Sequence, residues 1–400
     1  RDTSTEAKER LSRLPEHVRK ILSVCNAERA VNIPLLERLG ERFYPEGIKE
    51  LIRDLENGFP LVNRIPVERR AKKGKVIKRK LSLRELEQRA EQICIDTLKK
   101  RPGKDLSEKD LEEVIAQTKE EIRLGRMTEL KYPSTKRKYP FTRRFAIKQL
   151  SSKGKQKLRC IDDFLRSHIN AVAHVEGTIS MGRVRDMLLS AEVLAKKYPR
   201  EELVLTKSDF KSAYRSCPIL KEHLDLSTVV VWDPNTKEYL ETTHLAMPFG
   251  ALGAVYAWDR LGACLQSILS RMYVVPINRY VDDLFWVSFE NGAAELRRFI
   301  LETVDLLGFT LERDKTPIPA CGQTILGVQV RLQKRWRRHG YIHNAHISVD
   351  EIKAKHWREQ LSALLKQHYI DTQVASKFAG RFNFIVQSVL GPIGASKIRH

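Results

Sequence analysis

Arg279-Tyr280-Val281-Asp282-Asp283-Leu284-Phe285-Trp286-Val287 sets two adjacent acids inside an apolar and aromatic run. Val, Tyr, Phe and Trp favour extended backbone, so the run reads as two strands. The break between them falls at Asp282-Asp283, which puts the pair at a hairpin turn. An Asp-Asp turn without chemistry is the plain alternative, because aspartate is an ordinary turn residue. Two carboxylates at a turn also make a seat for a divalent cation. Choosing between these readings requires a third carboxylate, a basic track and a nucleotide pocket elsewhere in the chain.

A third carboxylate stands at the end of a second apolar run. Leu203-Val204-Leu205-Thr206 reads as a strand that runs into Lys207-Ser208-Asp209-Phe210, after which Lys211-Ser212-Ala213-Tyr214 turns toward a helix. An acid at the C-terminal end of a buried strand either caps the next turn or serves as a metal-binding or catalytic group. A strand ending in one acid, beside a hairpin bearing two, brings three carboxylates to one sheet edge. Mg²⁺ takes about six oxygen ligands and prefers one or two carboxylates plus substrate phosphates. Two such ions about 4 Å apart clamp the attacking and leaving oxygens of a phosphoryl transfer.

The charge supplies the basic track. The 400 residues hold 72 Lys and Arg against 50 Asp and Glu, a net charge of +22. A chain this basic meets a polyanion, usually nucleic acid, with an anionic membrane surface as the competing reading. No apolar stretch is long enough to span a bilayer. The chain opens Arg-Asp-Thr-Ser-Thr-Glu, without a signal-peptide pattern or initiator Met, and reads as an excerpt or a processed product. Cys25, Cys94, Cys160, Cys217, Cys264 and Cys321 form no CxxC pair. They read as free thiols of an intracellular, reducing compartment. His339, His343 and His346 lack a Cys or acid at zinc spacing and read as a basic, nucleic-acid-facing loop. Length alone sets two to four domains, at roughly 100–200 residues each.

In chain order, Glu6 to Val24 and Leu35 to Leu55 carry apolar residues at helical spacing, punctuated by Pro15, Pro34 and Pro45. The cations from Arg69 to Lys80 read as a loop or extended arm against nucleic acid. Ser82 and Glu85 predict a capping box for a helix from Leu83, and charged helical sequence runs on to Leu124. Two cation-studded strands follow, at 143–148 and 156–163, joined at Ser151-Ser152-Lys153-Gly154. Residues 227–232 and 239–243 read as a hairpin around Asp233-Pro234-Asn235. Gly250 and Gly253 stand at the mouth of a small-residue helix from Ala254 to Arg271. A helix from Gly292 to Leu307, one strand from Ile325 to Val330, and helices from Val349 to His368 and Gln373 to Leu390 complete the chain.

These residues resemble the motifs of reverse transcriptases. Tyr280-Val281-Asp282-Asp283 is similar to the Tyr-X-Asp-Asp signature, and Asp209 to Tyr214 to the first palm motif. Pro248-Phe249-Gly250 resembles the Pro-Gln-Gly motif, with Phe249 in place of Gln. Lys315 and Leu326-Gly327 resemble the Lys and Leu-Gly motifs that follow, and Arg159 with Asp163-Phe164 the fingers motif. Five motifs keep this order over residues 126–330. Gly58-Phe59-Pro60-Leu61, the stretch from Glu120-Glu121 through Gly125-Arg126, and Phe378 to Asn383 further resemble DIRS-type, tyrosine-recombinase retrotransposons.

The resemblance implies an α+β right-hand polymerase fold. A basic, helical N-terminal extension would cover 1–125, fingers 126–202, an antiparallel-sheet palm 203–330 and a thumb-like helical region 331–400. It implies an RNA-directed DNA polymerase using two Mg²⁺ ions, with Mn²⁺ as a substitute. Its partners would be an RNA or DNA template-primer and dNTPs, plus a protein or RNA on the extension, and no membrane. Asp209 and Asp282 would bind the ions with the Phe210 carbonyl, and Asp283 would support them. Tyr214, beside Ala213, would lie under the sugar and exclude a 2′-hydroxyl. Lys157 or Lys155, with Arg159, would hold the β- and γ-phosphates. Phe249 and Gly250 would line the nascent base-pair pocket, and Lys315 would protonate the leaving pyrophosphate. No RNase H, recombinase or integrase segment follows, which reads as a trimmed chain or a domesticated gene. The second reading is accordingly a polymerase fold kept as an RNA-binding subunit without catalysis. The third is a template-independent or RNA-synthesising polymerase, which Tyr214 opposes.

Overall fold

The computed structural model describes residues 3–23, 29–68, 72–100, 106–150, 156–337, 340–349, 351–366 and 369–385. Helices α1 (Thr3–Ser12), α2 (Glu16–Ser23), α3 (Ile33–Phe43) and α4 (Ile48–Asn57) open the chain. Pro34 sits in the first turn of α3, where its missing N–H has no partner to lose, and the Asn32 side chain caps that helix by accepting from Leu35 N–H at 3.1 Å. Strands β1 (Asn63–Ile65) and β2 (Lys72–Ile77) precede α5 (Leu83–Gln88), α6 (Ala90–Lys99) and α7 (Glu108–Arg123). The capping box forms: Ser82 N–H donates to Glu85 at 2.7 Å, and Glu85 N–H donates to Ser82 Oγ at 3.2 Å. Ser107 and Asp110 repeat it on α7.

Then come β3 (Thr142–Leu150), β4 (Gln156–Asp162), β5 (Ala173–Thr178), α8 (Val184–Lys197), β6 (Leu203–Asp209), β7 (Thr228–Asp233) and β8 (Glu238–Thr243). The long helix α9 (Leu252–Met272) leads to β9 (Asn278–Tyr280), β10 (Asp283–Phe289) and α10 (Ala293–Leu306). Strands β11 (Gly322–Ile325), β12 (Val328–Arg337) and β13 (Gly340–Val349) precede α11 (Glu351–Leu365) and α12 (Thr372–Ile385). The chain is a mixed α+β protein. Among the described residues no helix is long and apolar enough to cross a membrane.

The chain divides into two compact units. The first comprises residues 1–180, 211–268 and 303–310. Its four-stranded sheet runs β4-β3-β7-β8, with β3 and β7 parallel and the other pairs antiparallel. Alternation on β7 buries both faces. Val231 packs with Val114 and Ile115 of α7, while Val230 packs with Cys94 of α6. Each such buried aliphatic side chain contributes roughly 1.5–3 kcal/mol. A second, three-stranded sheet in this unit runs β1-β5-β2.

The second unit comprises residues 181–210, 269–302 and 311–400. It holds two three-stranded sheets, β6-β10-β9 and β11-β12-β13. Leu205 of β6 and Phe285 and Val287 of β10 pack with Met187 and Ala191 of α8 and with Val328 and Val330 of β12. That core fixes the β6–β10 pair from one side.

Several local expectations change. Lys72–Ile77 is a strand rather than a loop or arm, because β5 satisfies its backbone through Thr178, Glu176 and Val175. The expected single strand from Ile325 to Val330 is a hairpin, β11 to β12, that turns at Leu326 (φ 50°) and Gly327 (φ 78°). Two consecutive positive φ values match the tight turn that a twisted hairpin favours. His343 and His346 lie on β13 rather than in a loop, and the His343 ring lies 3.0 Å from the Pro199 carbonyl. Strands therefore occupy the first part of the stretch read as a thumb-like helical region, up to Val349. The turn toward a helix after Asp209 is one 3₁₀ turn, Ala213–Ser216. The turn at 151–154, Lys155, Cys25, His339 and residues 386–390 lie outside the described residues. Cys94, Cys160, Cys217, Cys264 and Cys321 are free thiols.

Candidate active site

The two strands that carry the acids are paired to each other. In the antiparallel register of β6 and β10, Leu203 faces Phe289 and Asp209 faces Asp283. Strand residues two apart share a face, so Lys207, Asp209 and Asp283 continue the face that Leu205, Phe285 and Val287 bury. On the other edge of β10, Tyr280 of β9 also pairs with Asp283. Val281 and Asp282 make the turn, with Val281 at φ 55°, an uncommon angle for a β-branched residue. Two contacts hold it there. Val281 N–H points to Met181 Sδ at 3.2 Å, and Arg279 donates to the Val281 carbonyl at 2.8 Å. Phe210 N–H donates to the Asp282 carbonyl at 3.0 Å, which ties the end of β6 to the turn.

A third segment closes on the same edge. Glu312 N–H donates to the Asp209 carbonyl at 2.8 Å, and Lys315 Nζ donates to Asp209 Oδ2 at 2.5 Å. The same ammonium lies 3.1 Å from Glu312. Ser208 and Thr316 share a hydroxyl hydrogen bond at 2.6 Å, and Arg297 of α10 donates to the Thr316 carbonyl at 2.6 Å. Asp209, Asp282, Asp283 and Lys315 are thus brought together within the second unit.

Burial, and then the charge of Asp209, push the Asp282 carboxyl up to about 6. Burial, Asp209 and Asp282 push Asp283 up to about 7. A site that makes its acids hard to ionise is one where an added cation removes both penalties. Burial opposes the charge of Lys315, but the hydrogen bond and charge of Asp209 outweigh it and raise its pKa. Lys315 already supplies one positive charge at the acids. All-oxygen donors suit Mg²⁺. Among the described residues no three acid, imidazole or thiol groups converge as a ready ligand cluster. The residues that would hold a cation here are Asp209 and Asp282, whose side chains are hydrogen-bonded to each other, with Asp283 beside Asp209 across the ladder.

The nucleotide-pocket residues lie in the first unit, and several of them meet. Ala213 is buried, and the Tyr214 ring leans on Phe249, with centroids 5.0 Å apart and planes at 58°. Gly250 sits at φ 100°, and a β-carbon there would stand 2.2 Å from the Asp162 carbonyl. Asn170 fixes the same loop, donating to the Gly250 carbonyl at 2.9 Å and accepting from Leu252 N–H at 2.8 Å. Lys157 and Arg159 are exposed on one face of β4, while Leu158 between them is buried on the other.

Beneath that loop lies a charged network that the sequence did not reveal. Arg144 donates to both Asp162 oxygens, at 2.8 and 3.1 Å. The His244 ring lies 2.9 Å from Asp162 Oδ2 through Nε2 and 3.0 Å from Arg215 through Nδ1. Arg215 and Arg126 both pair with Glu121. Arg215 carries only donors, so His244 Nδ1 accepts, and a neutral ring then carries its proton on Nε2, which lies 2.9 Å from Asp162 Oδ2 and 3.2 Å from Arg144 Nη2. Arg144 is then the cation that holds the Asp162 carboxyl well below the usual range. These partners stand 82 and 29 positions apart in the chain, and only Glu121 and Arg126 belong to a quoted motif. No protein-family model matches the chain, and no curated protein matches it.

Proposed function

We propose that the chain is an RNA-directed DNA polymerase of retroelement type that extends a primer 3′ end on an RNA or DNA template. In this reading β6, β9 and β10 belong to a palm, and β3 and β4 to fingers. The supporting observation is the register that sets Asp283 opposite Asp209, with Asp282 in the adjoining turn. Asp209 and Asp282 would hold Mg²⁺, which when bound supplies positive charge to the attacking and leaving oxygens. The chain's own residues then position and neutralise. The primer 3′-hydroxyl gives up its proton to solvent water as its oxygen attacks the α-phosphorus of a dNTP, a P–O bond forms, and the bond to pyrophosphate breaks. Lys315 carries the proton for that leaving group. Lys157 and Arg159, exposed on one face of β4, hold the β- and γ-phosphates. Tyr214, braced by Phe249, meets the sugar and disfavours a 2′-hydroxyl.

Primer extension on an RNA template with Mg²⁺ and dNTPs tests the proposal. Extension that disappears in Asp282→Ala supports it. Undetectable extension by the native chain, or extension that survives Asp282→Ala, overturns it. Tight RNA binding without nucleotide addition would favour an RNA-holding subunit instead.

A further inference from the structure

The first unit contains an open cavity of about 710 Å³ lined by the end of β2, helix α6, strand β3 and the segment 163–171. Lys78, Lys80, Lys100, Arg143 and Arg166 line it, against two acids, Asp96 and Asp163. Asp163 is taken up locally, since it accepts from Arg166 N–H at 3.1 Å and lies 3.5 Å from the Arg166 guanidinium. Among the described residues no carboxylate stands in ion-pair range of Lys78, Lys80 or Lys100. Lys78, Lys80, Lys100 and Arg143 thus line one concave space in which Asp96 is the one acid not paired with a cation among the described residues, a net positive lining that attracts an anion.

The walls are fixed by backbone contacts. Lys80 and Leu81 N–H groups both donate to the Ala171 carbonyl, at 2.7 and 3.1 Å. The Tyr239 hydroxyl donates to the Lys100 carbonyl at 2.5 Å and is itself a partner of Arg143. The lining is not wholly cationic. Ile77, Ile93 and Leu165 give it apolar surface, and Leu165 is 77% exposed at the rim. Asp96 and Thr97 add acceptors on the helical side.

We infer that this cavity, whose lining includes none of the three aspartates, binds a nucleoside 5′-phosphate unit. The lysines meet phosphate oxygens, the aliphatic surface meets the flat base, and Asp96 and Thr97 accept from sugar hydroxyls or exocyclic amines. The volume lies within the ordinary range of small-ligand sites, about 300–1,000 Å³. Asn170 lines the cavity and also clamps Gly250 and Leu252, so an occupant touches the residue that holds the Phe249-Gly250 loop. The unit reaches the cavity either as a free nucleotide or as an unpaired nucleotide of a strand. None of the three lysines belongs to the nucleotide-addition residues, so the inference stands or falls apart from the polymerase reading.

The test is equilibrium binding to the full chain in metal-free buffer, with ATP and with a twelve-nucleotide oligo(dA) as probes. The Lys80→Glu/Lys100→Glu variant, confirmed folded by its thermal transition, is the comparison. A loss of at least tenfold in ATP affinity assigns the site to free nucleotides. A comparable loss confined to the oligonucleotide assigns it to a strand. Unchanged binding of both probes overturns the inference, as does a poly-glutamate peptide that displaces either probe at equal charge concentration. Leu165→Glu supplies a second variant at an exposed position and is expected to weaken the same probe. If the double variant fails to fold, unchanged binding by Leu165→Glu overturns the inference on its own. Loss of primer extension in Asp282→Ala with this binding intact leaves the inference standing.

Discussion

Asp283 faces Asp209 directly across the antiparallel ladder of β6 and β10, and Asp282 precedes it in the turn. Asp282 and Asp283, partly buried and set against Asp209, cost the fold stability when they ionise. Asp282 and Asp283 are pushed up to about 6 and about 7, from an ordinary value of 3.8. A carboxyl raised in the folded state favours folding while protonated, and its contribution is lost as pH rises from the ordinary carboxylate range through the raised value. Asp283→Asn removes that penalty. In metal-free buffer at pH 7.5 it should stabilise the chain by about 1–2 kcal/mol, after discounting for solvent screening. Nucleotide addition should fall at the same time. Denaturant unfolding of both proteins decides it, and an Asn variant less stable than the parent would refute the account.

The buried network in the first unit has the opposite sign. Burial pushes His244 from 6.5 down to about 4, and Nε2–H and Nδ1 are already committed as in the neutral ring. The unfolded chain takes up the proton first as pH falls. The contribution is full above pH 6.5 and lost between 6.5 and about 4, on the order of 3 kcal/mol. Asp282 and Asp283 act in the same window, so the difference between native and His244→Gln isolates the imidazole. Native unfolding should show about one more proton taken up across that window than the variant does. Equal pH slopes would exclude a neutral buried His244. Glu121, lowered to about 2 by Arg215 and Arg126 against its burial, adds its loss below 4.5.

Two glycines at positive φ separate strain from collision. Gly250→Ala meets both a left-handed φ of 100° and the Asp162 carbonyl at 2.2 Å. Gly292→Ala, at φ 84°, has nothing within 4 Å of the added carbon. The first should cost more than about 3 kcal/mol, or raise the KM for dNTP if the loop shifts instead. The second should cost about 1–2 kcal/mol. Equal costs in thermal or denaturant unfolding would show that the Gly250 loop does not pack on β4 as described.

Legibility in the sequence tracks the range of the interaction. The Ser82–Glu85 box was readable because donor and acceptor are three residues apart. The acids at 209 and 282 were readable because strand ends and turns are local features, whereas Asp283, read as part of the turn, opens β10 and is paired on both sides in the ladder. Strand β2 was not, since its charges argue for a loop and its partner β5 lies about a hundred residues on. The β11–β12 turn was hidden because Leu326 adopts a positive φ that its side chain does not advertise. Asp162 and His244 look ordinary alone, and only the fold joins them across 82 positions.

The contact between Tyr214 and Phe249 carries the last prediction. Their rings lean together with centroids 5.0 Å apart, and Phe249 is 45% exposed, so one face of Tyr214 rests on a partly open ring. If Tyr214 excludes the 2′-hydroxyl, its selectivity depends on how firmly Phe249 fixes it. Tyr214→Ala should admit ribonucleotides outright. Phe249→Ala should loosen discrimination by a smaller factor, and the double variant should resemble Tyr214→Ala, because the prop has no effect once the tyrosine is gone. A Phe249→Gln variant restores a bulky side chain without the aromatic face and should fall between the native chain and Phe249→Ala. Single-turnover incorporation of dNTP against rNTP reads all four. Unchanged discrimination in Phe249→Ala would mean that Tyr214 needs no brace, and additive effects in the double variant would mean that the two rings act separately.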